Sequence, residues 1–349
     1  MTKKIACLCS AIFLLASASA CNDHLAVRAE PISEKASGTL LVGNKSEDSL
    51  SFIDLASGKE IARRDTGHQP HEIAMSPDGQ LAAIVSYGGE TIDIFDIAAR
   101  ERIETISLAP SQRPHGITWL DDGRIITTTE GSDNITIVSP PDGETRQRAI
   151  SVIATGQKRS HMLVVTPDKS RAFVSNMQSG TVSVLDLAAA EKIADLPAGT
   201  EPEGLAITPD GASVWVADRR GDILRVFDAR TLEQLATIET GKFPIRVAIS
   251  PDGKTAITSN LRDGALGLYD VETRKATGTI NISGTADSQQ VTILFSPDGT
   301  KLYVAETGPD MVAEVDLAAA RVVRRFQVGS DGDGLGIAPA RDRAANQIQ

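Results

Sequence analysis

Residues 204–218 read GLAITPDGASVWVAD and contain the unit from which most of the chain is built. A short apolar segment precedes the Pro-Asp-Gly turn at 209–211, and a second apolar segment, SVWVA, follows it. Side chains that alternate with a period of two are typical of strands, and Asp-Gly favours a tight reversal because its residues accept a positive φ. The stretch therefore predicts an antiparallel hairpin.

This turn recurs, with small variations, at a nearly constant interval along the chain. Its central aspartates step by 44, 46, 42, 42 and 46 residues and are Asp78, Asp122, Asp168, Asp210, Asp252 and Asp298. Each period also holds an alternating third segment, such as TVSVLD at 181–186, and a fourth after a small-residue turn, such as KIADL at 192–196. Four antiparallel strands in about 40–45 residues make one propeller blade.

The two ends of the repeat region complete each other. Residues 39–65 supply a second, third and fourth strand without a first, and residues 333–338 supply a first strand without followers. Joining them closes the ring and removes sheet edges that would otherwise pair with other chains. The chain is therefore predicted to be all-β, a seven-bladed β-propeller over residues 38–339, with a flexible tail at 340–349.

Several segments resemble the YVTN-repeat β-propeller family of bacteria. They are RAFVSN at 171–176 followed by GTVSVLDL at 180–187, TAITSN at 255–260 and KLYVAE at 301–306. The resemblance covers residues 38–339 and implies an exported or lipoprotein-type propeller with an accessory or scaffold role.

The first 20 residues, MTKKIACLCSAIFLLASASA, have the pattern of a signal peptide. Lys3 and Lys4 precede an apolar stretch that is too short to span a bilayer as a mature helix. Cys21 follows Ala-Ser-Ala and is the expected site of lipidation, with cleavage to a soluble exported form as the alternative. Residues 21–37 are expected to form a tether, so we expect a lipid-anchored protein of the periplasm or cell envelope.

Composition narrows the class of partner. With 35 Lys and Arg against 46 Asp and Glu, the formal net charge is −11, which argues against nucleic-acid binding through bulk charge. Hydrophobic residues make up 41% of the chain, enough for a packed core. The sequence contains no covalent haem motif, nucleophile elbow or P-loop. Separately, we expect the protein to be a monomer.

One aligned position carries most of the histidines. It lies six residues before each Pro-Asp-Gly-type turn, at the start of the predicted first strand, where it faces the mouth of the axial channel. Around the ring it is occupied by Asp333, His71, His115, His161, Glu203, Ile245 and Val291. The five polar members are consecutive, so the fold is expected to bring them together.

Neutral imidazoles beside carboxylates suit Zn²⁺, Cu²⁺ or another divalent transition metal, so such an ion is the candidate cofactor, although the sequence leaves the cofactor open. The predicted metal ligands are His71, His115, His161 and Glu203. The same groups could act as general acid and base on an organic substrate. A structural role, such as capping a loop or holding water in the channel, is the third alternative.

A second resemblance bears on catalysis. PHGI at 114–117 and PEGL at 202–205 are similar to strand starts of streptogramin B lyase-like propellers. This resemblance implies a metal-dependent elimination with His115, His161 and Glu203 as catalytic residues. Lactone hydrolysis is a neighbouring possibility.

The predicted ligand-binding set also has members beyond the metal ligands. It comprises His71, His115, His161, Glu203, Asp333, Asn176 and Arg246. Arg246 lies one place after the aligned position, so its side chain is expected to start toward the other face of its strand. The ends of the second strands carry further polar residues, for which closing their own loops is the favoured interpretation: Asn44, Tyr87, Glu130, Asn176, Asp218, Asn260 and Glu306.

The leading hypothesis is an exported, lipid-anchored propeller that binds a metal ion, a small ligand or a protein partner at the channel mouth. This hypothesis rests on the predicted architecture and on the lack of a complete catalytic motif in the sequence. A metal-dependent lyase or a lactonase acting at the same rim is the alternative.

Overall fold

The computed structural model describes residues 37–340. The predicted signal peptide, Cys21 and residues 341–349 of the predicted tail lie outside the described residues. Within the described part, no helix has the length and apolar character needed to cross a membrane.

The described chain is almost entirely β-structure, with a single short 3₁₀ helix at Ala286–Ser288. The first three strands are β1 (Gly38–Asn44), β2 (Ser49–Asp54) and β3 (Lys59–Asp65). The second blade contains β4 (Pro70–Met75), β5 (Leu81–Ser86), β6 (Thr91–Asp96) and β7 (Glu101–Ser107). The third contains β8 (Pro114–Trp119), β9 (Ile125–Thr129), β10 (Asn134–Val138) and β11 (Ile150–Ala154).

The remaining blades repeat this pattern. The fourth contains β12 (Ser160–Val165), β13 (Arg171–Asn176), β14 (Thr181–Asp186) and β15 (Glu191–Pro197). The fifth contains β16 (Pro202–Ile207), β17 (Ser213–Asp218), β18 (Ile223–Asp228) and β19 (Gln234–Glu239). The sixth contains β20 (Pro244–Ile249), β21 (Thr255–Asn260), β22 (Ala265–Asp270) and β23 (Lys275–Asn281). The seventh contains β24 (Gln290–Phe295), β25 (Lys301–Glu306), β26 (Met311–Asp316) and β27 (Arg321–Gln327), and β28 (Gly332–Pro339) ends the fold.

The strands form seven four-stranded antiparallel sheets, as predicted. In the first blade β28 pairs with β1, with Leu40 opposite Ile337 and Val42 opposite Leu335. Each first strand contacts the first strand of the next blade, including β24 with β28 and β28 with β4. The predicted seven-bladed β-propeller, closed by its last strand, is therefore confirmed.

The recurrent turn is held by its own side chains. In the sixth blade the Ser250 hydroxyl donates to Asp252 Oδ1 at 2.6 Å, and the same oxygen accepts the Lys254 backbone N–H at 3.1 Å. Gly253 follows with a φ of 72°, which a residue without a Cβ adopts at no steric cost. The Ser-Pro-Asp-Gly pattern is therefore turn chemistry rather than a catalytic serine motif.

The hydrophobic core lies between the blades. Phe173 and Val184 of the fourth blade pack with Val214 and Phe227 of the fifth, and equivalent clusters fill the other blade interfaces. Trp215 is fully buried, and its indole N–H donates to the Ser213 hydroxyl at 3.1 Å, so its polar atom is satisfied. Packing on both faces of each sheet makes every blade depend on its neighbours.

A bulge near the start of the innermost strands positions the site. In β4 the register shifts between Pro70, opposite Ser86, and Ile73, opposite Ile84, so that His71 and Glu72 lie in the bulge. The corresponding shift occurs in all seven first strands. A bulge interrupts the alternation of side chains and redirects them. Consecutive residues can therefore both face the channel.

Candidate functional site

The three aligned histidines form a row near the starts of the innermost strands β4, β8 and β12. The ring centroids of His71 and His115 are 4.1 Å apart, and those of His115 and His161 are 3.7 Å apart. The rings are tilted by 46° and 36° to one another. All three residues are buried, with His115 only 2% exposed. The structure thus brings together residues that are about 45 positions apart in sequence.

His161 lies between two carboxylates. Its Nδ1 is 2.7 Å from Glu130 Oε2, and its Nε2 is 3.5 Å from Glu203 Oε1. Burial alone would lower the pKa of His161, but its contacts with Glu130 and Glu203 outweigh burial and raise it. Burial would raise the pKa of both carboxyls, but the hydrogen bonding and charge of His161 hold each at about 2. His161 is therefore more readily protonated than a free imidazole and lies between two carboxylates.

His115 has the opposite electrostatic environment. Burial lowers its pKa well below the ordinary value, and the neighbouring His161 and His71 lower it further. Its Nδ1 is buried and has no hydrogen-bond partner among residues 37–340. His115 is therefore a neutral imidazole in the centre of the row.

His71 is oriented by Asp333, which belongs to the closing strand β28. The Nε2 atom of His71 is 3.3 Å from Asp333 Oδ2. Asp333 also accepts hydrogen bonds from Lys45 Nζ and Thr292 Oγ1, each at 2.8 Å. Burial would raise the pKa of Asp333, but the charges of His71 and Lys45 hold it far below its ordinary value. The Asp333 carboxylate is thus fixed as an acceptor beside His71.

Arg246 reaches from β20 to carboxylates on β16 and β4, and the expectation that it starts toward the other face of its strand is wrong. Its Nη1 donates to Glu203 Oε1 and its Nη2 to Glu72 Oε1, both at 2.8 Å. The register shift between Pro244 and Arg246 turns the side chain inward. Burial would lower the pKa of Arg246, but the Glu72 and Glu203 charges raise it above its usual range. Arg246 therefore bridges two carboxylates that lie on different blades.

Asn176 is the one member of the predicted ligand-binding set that the structure does not bring to the histidine row. Its amide donates to Ser183 Oγ at 2.9 Å and Thr181 Oγ1 at 3.2 Å, and its oxygen accepts from Ser160 Oγ at 2.9 Å. These bonds lie within the fourth blade and satisfy the side chain there. Asn176 therefore secures the end of its own strand.

Four residues that contact the histidine row or its carboxylates were not predicted to belong to the site. Glu72 and Lys45 carry no signal in the repeat pattern, because neither occupies the aligned position. Tyr87 and Glu130 were expected to close loops. Instead, the Tyr87 ring meets His71 and His115 edge-on, at centroid distances of 5.6 and 5.4 Å, and its hydroxyl donates to Glu130 Oε1 at 3.0 Å.

The family model described as "Lactonase, 7-bladed beta-propeller" matches residues 56–290. No curated protein matches the chain. The match supports the propeller and its number of blades, whereas the narrower YVTN-repeat assignment stays a prediction.

Solved structures with similar folds are only distantly related in sequence. Hydrazine synthase of Kuenenia stuttgartiensis has a TM-score of 0.69 at 17% identity, covering 80% of this chain and 94% of that one. Dihydro-heme d1 dehydrogenase NirN, in complex with DHE, has a TM-score of 0.65 at 14% identity, covering 86% and 75%. A functionally unknown protein from Desulfotomaculum acetoxidans has a TM-score of 0.73 at 14% identity, covering 87% and 100%. At these identities the likeness concerns the fold alone.

Proposed function

The chain belongs to the 7-bladed β-propeller lactonase family, and we propose that it binds a ligand at the channel mouth through His71 and His115 of the histidine row. One observation carries the proposal. His71 Nδ1 and His115 Nδ1 are buried, and no residue in the described part of the chain forms a hydrogen bond with them. Buried polar atoms are normally satisfied, so a ligand that completes these contacts explains their arrangement.

Three ligand classes suit this position: a metal ion, a small molecule and a protein partner. The net charge of −11 places nucleic acid outside them. In the proposed role the protein is an accessory factor or scaffold rather than a catalyst. Support comes from the ion pairs of Glu130, Glu203 and Asp333, because these carboxylates already have cationic partners.

The experiment compares binding in a double variant, His71→Ala/His115→Ala, with binding in His68→Ala. His68 is a matched control because its side chain is 63% exposed and contacts Asp48 outside the row. A ligand that binds only the folded state raises the melting temperature. Metal salts, lactones and extracts of envelope proteins are screened for such an increase. The double variant should lose it and His68→Ala should keep it; an equal response in both would overturn the proposal.

The proposed location is the periplasm or cell envelope, with a lipid anchor on Cys21. Its support is the sequence pattern of residues 1–21. Cys21→Ser should release the protein from the membrane fraction into the soluble envelope fraction and abolish labelling by a fatty acid. A membrane-bound, unlabelled Cys21→Ser protein would contradict the anchor.

A second candidate function is hydrolysis of a lactone or a related elimination, with His115, His161 and Glu203 as the reacting groups. The neutral state of His115 favours it, because an unprotonated imidazole can act as a general base. Turnover of a panel of five- and six-membered lactones tests this function. If His115 is the base, His115→Gln should lower kcat about 10²–10⁴-fold. Turnover that survives this change at the wild-type rate would exclude His115 as the base.

A further inference from the structure

We propose that the ligand is a divalent transition-metal ion, held by His71, Glu72 and His115, with Asp333 orienting His71. The inference rests on the ligand-binding function proposed above and gives that function a ligand class. It also changes the ligand set predicted from the sequence, since Glu72 enters it and both His161 and Glu203 leave it.

The three ligand residues come from neighbouring strands. His71 and Glu72 are consecutive in the bulge of β4, and His115 occupies the bulge of β8. One donor atom from each lies within 4.8 Å of the other two. A tetrahedral ion with bonds of about 2.1 Å spaces its ligand atoms about 3.4 Å apart. The distances between the donor atoms would therefore have to shorten by at most about 1.4 Å, which side-chain rotations can supply.

One ring nitrogen of His71 faces Asp333, and the other has no hydrogen-bond partner in the described residues. An ionised carboxylate only accepts hydrogen bonds, so the Nε2 of His71, facing Asp333, is the nitrogen that carries the proton. Its Nδ1 lies 3.7 Å from Glu72 Oε1 and is buried without a hydrogen-bond partner among residues 37–340. A metal ion bound between these two atoms would take the place of a second proton on His71.

In the proposed site Asp333 would accept a hydrogen bond from Nε2 of His71 while Nδ1 binds the ion, as is common around metal-bound histidines. A carboxylate that accepts the second ring N–H fixes the tautomer and the ring orientation and makes the metal-facing nitrogen more basic. His115 offers a further buried nitrogen, Nδ1, without a partner in residues 37–340. Two imidazoles and one carboxylate suit Zn²⁺, Co²⁺, Ni²⁺ or Cu²⁺ better than Mg²⁺ or Ca²⁺, which prefer oxygen ligands.

His161 and Glu203 are excluded as ligands because their donor atoms are already engaged. The two ring nitrogens of His161 face Glu130 and Glu203, so both are directed at acceptors. The two oxygens of Glu203 accept hydrogen bonds from Arg219 and Arg246. Glu72 differs, because only its Oε1 is engaged by Arg246; its Oε2 accepts no hydrogen bond from the described residues.

The test measures binding of Zn²⁺ and Co²⁺ to the chelator-treated, purified protein by calorimetry and visible absorption. We expect one ion per chain. His71→Gln, Glu72→Gln and His115→Gln should each weaken binding at least 10-fold, and Asp333→Asn should weaken it about 10–100-fold. His161→Gln and the surface control His68→Ala should stay within about 3-fold of wild type. Circular dichroism and melting curves select the variants that fold.

The absorption band of bound Co²⁺ is a second measurement that needs no folded His161 variant. It should change in shape when His71 or His115 is replaced and should be unchanged in His68→Ala. The metal inference is overturned if the wild-type protein binds no stoichiometric ion, or if a folded His161→Gln protein loses the ion as completely as His71→Gln. If the ion is not bound but a small molecule or protein still requires the histidine row, only the metal inference fails. If no ligand responds to His71→Ala/His115→Ala, the proposed function fails as well.

Discussion

Glu130 and Glu203 determine how His161 titrates, and the result differs from that of its neighbour His115. In metal-free protein we expect the pKa of His161 above 6.5 and that of His115 well below it. The chemical shifts of the imidazole C–H groups, followed from pH 4 to pH 9, measure both. The His68→Ala variant assigns the exposed histidine. A His161 signal that titrates below pH 6.5 would contradict the predicted ion pairs.

The same shifts predict how stability depends on pH. Since the pKa of His161 is raised in the fold, its contribution is fully present below its unfolded pKa and is lost as pH rises through the folded pKa. The pKa of Glu130 and of Glu203 is lowered from 4.5 to about 2, so their contribution is present above pH 4.5 and lost toward pH 2. Neutral His115 acts in the opposite sense to His161, because the unfolded chain gains a proton there below about pH 6.5. Urea unfolding of Glu130→Gln should show a weaker loss of stability above neutral pH than wild type.

Arg246 provides a test of the charges inside the channel. Removing it in Arg246→Ala leaves Glu72 and Glu203 without the guanidinium that joins them. Breaking a buried ion pair by deleting one partner costs about 3–5 kcal/mol, and we expect a loss in this range from urea unfolding. Arg64→Ala is the control, because Arg64 forms an exposed pair with Glu101 and should contribute about 0–1 kcal/mol. A cost below about 1 kcal/mol for Arg246→Ala would show that the bridge is dispensable.

At the level of the strand, a glycine after the aligned residue sets how closely neighbouring blades approach. A Cβ on Gly204 would lie 2.7 Å from Arg246 Cα, and one on Gly116 would lie 2.9 Å from Met162 Cα. Both neighbours are backbone atoms of the next innermost strand. Four blades lack this glycine: Glu72 and Arg246 occupy its place in two of them and form an ion pair, and Met162 and Thr292 occupy it in the other two. The position after the aligned residue therefore allows close packing where it is glycine and supplies charge where it is Glu72 or Arg246.

Gly334 in β28 is the most constrained of these glycines. A Cβ there would overlap the backbone oxygen of His71 in β4. We expect Gly334→Ala to cost about 1–3 kcal/mol and to increase hydrogen exchange in β28, because backbone cannot move aside as a side chain can. Gly278→Ala is the control, since a Cβ at Gly278 meets no atom within 4 Å. Equal melting temperatures for the two variants would contradict this role of Gly334.

The blades were predictable because the turn residues and the alternation of side chains are local signals, and every repeat contains them. The aligned histidines were predictable too, since identical units place equivalent residues at equivalent points of a ring. Glu72 and Arg246 were not, because a bulge cancels the period of two on which the expected direction of a side chain depends. The ion pair of Glu130 with His161 joins two blades, and no local pattern encodes such a pairing.

In the whole molecule, the pairing that closes the ring also brings Asp333 and Lys45 to His71. Asp333 lies on β28, the strand that completes the first blade, while His71 lies on β4 in the second. Lys45, which binds Asp333, comes from the loop after β1, nearly 290 residues earlier in the chain. The orientation of His71 therefore depends on contacts that exist only when the two ends of the propeller have met.

Ending the chain after Asp331 removes β28 and tests this dependence. It leaves β1 as an open edge, uncovers apolar residues such as Leu40 and Val42, and deletes the carboxylate beside His71. We expect the shortened protein to lose its single cooperative unfolding transition and to aggregate, because an unpaired edge templates association. Ending the chain after Ala340 instead should leave the melting curve unchanged, since every strand is retained. A soluble, cooperatively folding 331-residue chain would mean that six complete blades suffice, and the histidine row would then have to form without its link to the closing strand.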